Sequence, residues 1–191
     1  ALPSTPAAGT MAFSPTGDRL YLGLGSGMQV FDVASHTFLN WVALTSVPSD
    51  VVVAPGGAVA YLSVRGNVQV VDLASGQVTD TIFVLPGASG DRLTQMALSA
   101  DGTTLYAAAE FAPTLYRINL LTRTLSAVIS LPGAARDVRL THDDAFAYIA
   151  TASGAAVVVD LTTMAVSSNL LPTGTAQRLW LSPSEQYLYV L

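Results

Sequence analysis

A stretch of about ten residues recurs five times along this chain of 191 residues. It reads SPTGDRLYLG from Ser14, APGGAVAYLS from Ala54, SADGTTLYAA from Ser99, THDDAFAYIA from Thr141 and SPSEQYLYVL from Ser182. Each copy carries a tyrosine at its eighth position: Tyr21, Tyr61, Tyr106, Tyr148 and Tyr189, spaced by 40, 45, 42 and 41 residues. A second marker keeps the same step. VFDVAS, VVDLAS, RINLLT and VVDLTT place Asp32, Asp72, Asn119 and Asp160 in register, each followed three residues later by Ser35, Ser75, Thr122 or Thr163. A period this long constrains the fold more than any local propensity. Each unit must be one supersecondary structure that buries its faces against its neighbours.

Within a unit the pattern predicts four strands. In the first they run over Thr10–Phe13, Leu20–Gly23, Met28–Val33 and Phe38–Leu44. A Ser-Pro-Thr-Gly turn follows strand one, because Pro and Gly supply the dihedral angles of a tight reversal. The Asp or Asn ending strand three, and the hydroxyl three residues on, can bond backbone amides of the next turn. No interval shows an apolar period of 3.6 over helical length. Four antiparallel strands repeating at this period predict the blade of a β-propeller; a β-helix is the alternative, although its coils are usually shorter. Apolar residues make up 51% of the chain and charged residues 11%, against about 25% charged in an ordinary domain. Radial packing buries both faces of every blade and accounts for that composition. The expected fold is therefore all-β, a single propeller domain over residues 1–191. Its blade units lie at approximately 10–49, 50–93, 94–135 and 136–176, with a partial unit at 177–191.

AFSPTGDRLYLGLGSGMQVFDVASHTFLNWVAL, with its echoes from Ala54, Ser99, Thr141 and Ser182, resembles the YVTN-type repeat. That pattern reads approximately as a strand, S-P-D-G, a gap, L-Y-V, a polar turn, then V-x-V-I-D and a turn with Thr or Ser. The resemblance spans nearly the whole chain. It departs from the pattern in that YLGL, YLSV, YAAA and YIAT stand where Tyr-Val-Thr-Asn would. The resemblance implies a bacterial or archaeal surface or periplasmic propeller, hence an extracytoplasmic place. It implies little about activity, because such propellers include scaffolds, binding modules, lactonases and redox enzymes.

About four and a half units are present, and the N-terminal strands duplicate the pair already found at the C-terminus. They cannot complete the fifth unit, so the chain is expected to form part of a larger propeller of about six to eight blades. The missing strands would come from further sequence or from another copy. A closed four-bladed ring with an extra hairpin is the alternative.

Net charge is −5 and all eight basic residues are arginines, so nucleic acid and anionic membranes are not expected partners. No run of about 18 apolar residues predicts membrane insertion. The absence of cysteine excludes disulfides, thiolate catalysis and cysteine metal sites. GLGSGMQVFD (residues 23–32) has the glycines of a nucleotide-binding loop. A dinucleotide fingerprint, however, needs a helix after its glycines and an acidic residue about 20 positions on. Here Asp32 follows Gly27 by five residues, so Gly27 is expected to turn the chain between strands two and three.

The two histidines, His36 and His142, fall in different turns of different units and predict no shared site. THDD (Thr141–Asp144) predicts an exposed turn. No G-x-S-x-G elbow or Ser-His-Asp set is visible, and neither Glu110 nor Glu185 aligns with the column before strand one. No catalytic residue, metal site or cofactor is expected. The candidate binding residues are Asp50, Gln95, Asp137 and Arg178, which align before strand one, and Arg136, one position earlier in its unit; they would ring one mouth of the channel if that strand lines it. They could grip a polar ligand or a peptide, or simply pair with each other and with backbone groups at the strand starts. The long loop from Leu85 and the shorter ones from Leu131 and Leu171 join successive units on that rim. The expected function is a non-enzymatic scaffold or recognition module that binds protein partners or further copies of itself. A lactonase-like or lyase-like enzyme fragment is the alternative.

Overall fold

The computed structural model describes residues 9–85, 91–167, 170 and 176–191. Every regular element among them is a strand. β1 (Thr10–Phe13), β2 (Arg19–Leu24), β3 (Gly27–Asp32) and β4 (Thr37–Ala43) form a four-stranded antiparallel meander. β5 (Pro48–Val53), β6 (Val59–Val64), β7 (Asn67–Asp72) and β8 (Gln77–Phe83) form a second. β9 (Leu93–Leu98), β10 (Thr104–Ala109), β11 (Thr114–Asn119) and β12 (Thr124–Ser130) form a third. The fourth sheet pairs β13 (Ala135–Leu140), β14 (Phe146–Thr151) and β15 (Ala156–Asp160). Its outer edge is followed irregularly: Val166 bridges Val159, and Ser167 N donates to Val158 O at 2.8 Å. β16 (Leu179–Leu181) and β17 (Leu188–Val190) form the final hairpin.

The strands gather into two compact units, Ala1–Leu93 and Thr94–Leu191. In the first, Tyr21, Met28 and Val42 of one sheet pack on Val51, Leu62 and Val71 of the next. In the second, Tyr106, Ala108, Leu115 and Ile129 pack on Val138, Ile149 and Val159, and Leu179 closes a smaller cluster with Ala150 and Ala156. Alternation explains both cores, since successive residues of a strand point to opposite faces.

The turns are built as their residues suggest. At the fourth position of each first turn φ is positive: Gly17, Gly57 and Gly102 in the first three sheets, Asp144 and Glu185 in the last two. Glycine takes this left-handed region at no steric cost. The two acidic residues hold it while bonding the preceding sheet. Asp144 Oδ2 accepts from Ala100 N at 2.8 Å and Glu185 Oε1 accepts from His142 N. Asp143, beside Asp144 in THDD, is used inside its own turn, accepting from Thr141 Oγ1 at 2.6 Å and Ala145 N at 3.0 Å.

At the end of strand three, Asp32 Oδ1 accepts from Ser35 N and Oγ, both at 2.7 Å, and Asp72 does the same with Ser75. Asp160 Oδ1 accepts from Thr162 Oγ1 at 2.6 Å and from the Thr162 and Thr163 amides. The Thr162 hydroxyl and these amides stabilise the charged form and hold Asp160 down at about 2. That lies below its ordinary 3.8, so its stabilising effect is complete above the ordinary value and is lost as pH falls through about 2. Asp160→Asn should therefore flatten the loss of stability between pH 4 and pH 2, read by urea unfolding across that range. An unchanged acid slope would refute the assignment. Asn119 builds the same turn in the third sheet through Leu121 N and Thr122 N, without a titratable group.

Candidate functional site

For Asp50, Gln95 and Asp137 the aligned column lies inside strand one rather than before it, whereas Arg178 precedes β16 (Leu179–Leu181) as expected. Asp50, Gln95 and Asp137 are each the third residue of their strand, because β5, β9 and β13 begin at Pro48, Leu93 and Ala135. In β5 and β13 the pairing slips by one at this point. Pro48 faces Val64 and Asp50 faces Ser63; Ala135 faces Thr151 and Asp137 faces Ala150. Ser49 and Arg136 are thus the extra residues of β-bulges, which re-aim side chains locally.

The candidates divide in two. Asp137 is 0% exposed and its carboxylate is consumed within the protein. Oδ1 accepts from Val138 N at 3.0 Å and Oδ2 accepts from Leu179 N at 2.9 Å. Arg139, two residues on, places Nη2 3.2 Å from Asp137 Oδ1 and donates from Nε to Leu179 O at 3.0 Å. Two side chains of β13 therefore hold both backbone groups of Leu179, as a neighbouring strand would. Asp50 works in the same way in the first unit. Its Oδ1 accepts from Val51 N and from Thr10 Oγ1 of the preceding sheet, both at 2.9 Å. Gln95 is half-buried in β9.

Arg136 and Arg178, by contrast, are exposed and border one groove of about 560 Å³ in the second unit. Thr94, Glu110, Phe111 and Gln177 share its walls, with Ala134, Ala135 and Ala152 between them. Glu110 and Phe111 come from the β10–β11 turn and lie outside the repeat column, so alignment of strand-one residues could not find them. A meander does offer a signal: the turn between strands two and three emerges at the same end of a blade as the loop leading into strand one.

The remaining candidates sit apart from this groove. His36 occupies the left-handed position after β3, with φ 56°. His142 lies in the first turn of the fourth sheet and borders a second groove with Arg139, Trp180 and Glu185. Among the described residues no group of three or more His, Asp or Glu is placed to hold a metal ion, and no helix is long and apolar enough to cross a membrane. Part of the long loop after Leu85, at residues 86–90, and most of the loop after Leu171 lie outside the described residues.

No protein-family profile and no curated protein matches the chain. Among solved structures it is similar to hydrazine synthase of Kuenenia stuttgartiensis, a protein with β-propeller domains, at a TM-score of 0.85 over 98% of this chain. The fold class is the β-propeller. At 20% identity the likeness is one of fold, and the chain spans 56% of that protein's length. The sheets of this propeller are its blades. The Asp137–Leu179 and Asp50–Thr10 bonds each tie one blade to another.

Proposed function

We propose that the chain is a non-catalytic scaffold and recognition module, an extracytoplasmic propeller of the YVTN type, and that copies of it assemble head to tail. The observation that supports this is a matched pair of open blade faces. On the first sheet Met11, Phe13, Leu20, Leu22, Phe31, Phe38 and Trp41 are cross-strand neighbours or alternate residues on a single face. Met11 and Phe13 are 61% and 58% exposed. One repeat on, the same positions are Val51, Val53, Ala60, Leu62 and Val71, and these pack on the preceding sheet. Two further repeats on they are Val138, Leu140, Ala147, Ile149 and Val159, again packed on the preceding sheet. The face is therefore of the kind that another blade covers.

The final hairpin offers the complement. Trp180 and Tyr189 are cross-strand partners, 46% and 56% exposed, at the repeat positions of Ala12 and Tyr21. In the first sheet those positions pack against the following blade. The first sheet thus presents a blade-covering face and the final hairpin a blade-receiving face, which suits a heterologous contact between copies. Contiguous apolar surface of this kind marks an interaction site.

Sedimentation velocity tests the reading. The wild-type chain should associate with rising concentration, and Phe13→Asp and Trp180→Asp should each remain monomeric. An equimolar mixture of the two variants keeps one intact face of each kind and should form dimers that grow no further. A monomeric wild type, or variants that assemble as it does, would overturn the proposal.

A further inference from the structure

We propose that the groove between Arg136 and Arg178 binds an acidic peptide segment, with a carboxylate held by the two arginines and an apolar side chain laid on Phe111. Three observations carry this. First, both guanidiniums are available. Among the described residues neither makes a hydrogen bond or an ion pair, whereas Arg19 and Arg139 are each committed to a carboxylate. The buried carboxylate nearest in sequence, Asp137, is already engaged by Val138 N, Leu179 N and Arg139 and does not compete for them. Arg136 faces outward beside the buried Asp137.

Second, the meander sorts charge by end. In the second unit the end formed by the turns after strands one and three carries Asp101, Asp143, Asp144, Asp160 and Glu185 against Arg117, Arg123 and Arg139. The other end carries Arg136 and Arg178 against Glu110. In a chain of net charge −5, the groove end thus carries two exposed arginines against one carboxylate, a local excess of positive charge that attracts an anionic partner.

Third, the shape suits an extended chain better than a small molecule. Drug-sized ligands bury roughly 70–90% of their surface in enclosed pockets. This groove is open, and Phe111 on its wall is 67% exposed. Ala134, Ala135 and Ala152 line it with side chains short enough for a peptide backbone to approach. An exposed aromatic beside paired cations matches a segment that alternates carboxylate and apolar residues. This inference does not rest on assembly through the open blade faces, which involve other residues.

The test is a fluorescence-anisotropy titration of the whole chain with a labelled, acetylated pentapeptide Glu-Glu-Phe-Glu-Glu, beside Gln-Gln-Phe-Gln-Gln as the uncharged control. The acidic peptide should bind and the control should not. Arg136→Gln and Arg178→Gln should each weaken binding about fivefold, and the double variant should abolish it. Phe111→Ala should weaken binding without changing its salt dependence, a readout that a purely electrostatic contact would not give. Urea unfolding of the arginine variants should match the wild type, since both side chains are exposed and make no ion pair among the described residues. Equal binding of the two peptides, or arginine variants that bind as the wild type does, would overturn the proposal. Complete competition by inorganic phosphate with no effect of Phe111→Ala would overturn it as a peptide site.

Discussion

Asp137→Ala should destabilise the second unit by about 2–3 kcal/mol, the cost of leaving a buried backbone amide without its acceptor. The carboxylate is 0% exposed and accepts bonds from Val138 N, Leu179 N and Arg139. Alanine leaves the Leu179 amide buried without an acceptor and removes the anion beside Arg139. For a unit of this size such a loss lowers the melting temperature by on the order of 15 °C. The chain holds two tryptophans, and Trp180 is the residue after Leu179. In a Trp41→Phe background its fluorescence reports the strand that Asp137 holds. Asp137→Asn keeps one acceptor oxygen and should fall between the two. A loss below about 0.5 kcal/mol in the alanine variant would show that the Leu179 tie is dispensable.

Leu62→Ala should cost about 3 kcal/mol in the first unit, through lost transfer energy and an unfilled cavity. Leu62 is fully buried between the first two sheets, among Tyr21, Met28, Val42 and Val51. Those neighbours lie on paired strands, whose register restricts their collapse into the space. The transition followed by Trp41 fluorescence in a Trp180→Phe background should move accordingly. Leu39→Ala, on the exposed strand β4, should change it by less than about 0.5 kcal/mol. Comparable effects at the two sites would mean that the sheet interface is loosely packed.

The two large effects have different origins, and the sequence announced them unequally. Leu62 sits two positions beyond Ala60 in an alternating strand, next to the repeat tyrosine, and its burial follows from the period of two. Asp137 aligns with Asp50 and reads equally well as a ligand-binding residue. Its neighbour Arg136 faces outward as alternation requires, and the bulge shows instead in Asp137 and Val138, which are both buried. Alternation predicts opposite faces for neighbours, but a bulge resets the phase, and no local composition marks where the reset falls. Arg178 shows the same limit. It shares Asp137's column but precedes β16 instead of lying within it, so its side chain reaches the surface.

The turns were the most legible part of the chain. Asp32, Asp72, Asn119 and Asp160 each bond amides of the following turn, as their spacing from Ser35, Ser75, Thr122 and Thr163 predicts. The predicted strand limits in the first unit differ from the observed ones by about one residue. Gly27 proves to open β3 immediately after a turn in which Gly25 takes a φ of 49°, so the glycines of GLGSGMQVFD serve a hairpin. The groove at Arg136 and Arg178 was half legible. Arg178 lay in the column and Arg136 one position before it, but Glu110 and Phe111 arrived from another blade.

The repeat period, the strand alternation and the turn residues were determined by the sequence alone, because each depends on chemistry within a few residues or on an exact recurrence. Tertiary structure decided which carboxylates are consumed in tying one blade to another, and which arginines and blade faces are exposed among the described residues. Those outcomes depend on what lies opposite a side chain, and packing brings the opposing groups from about 40 residues away, as Leu179 is brought to Asp137.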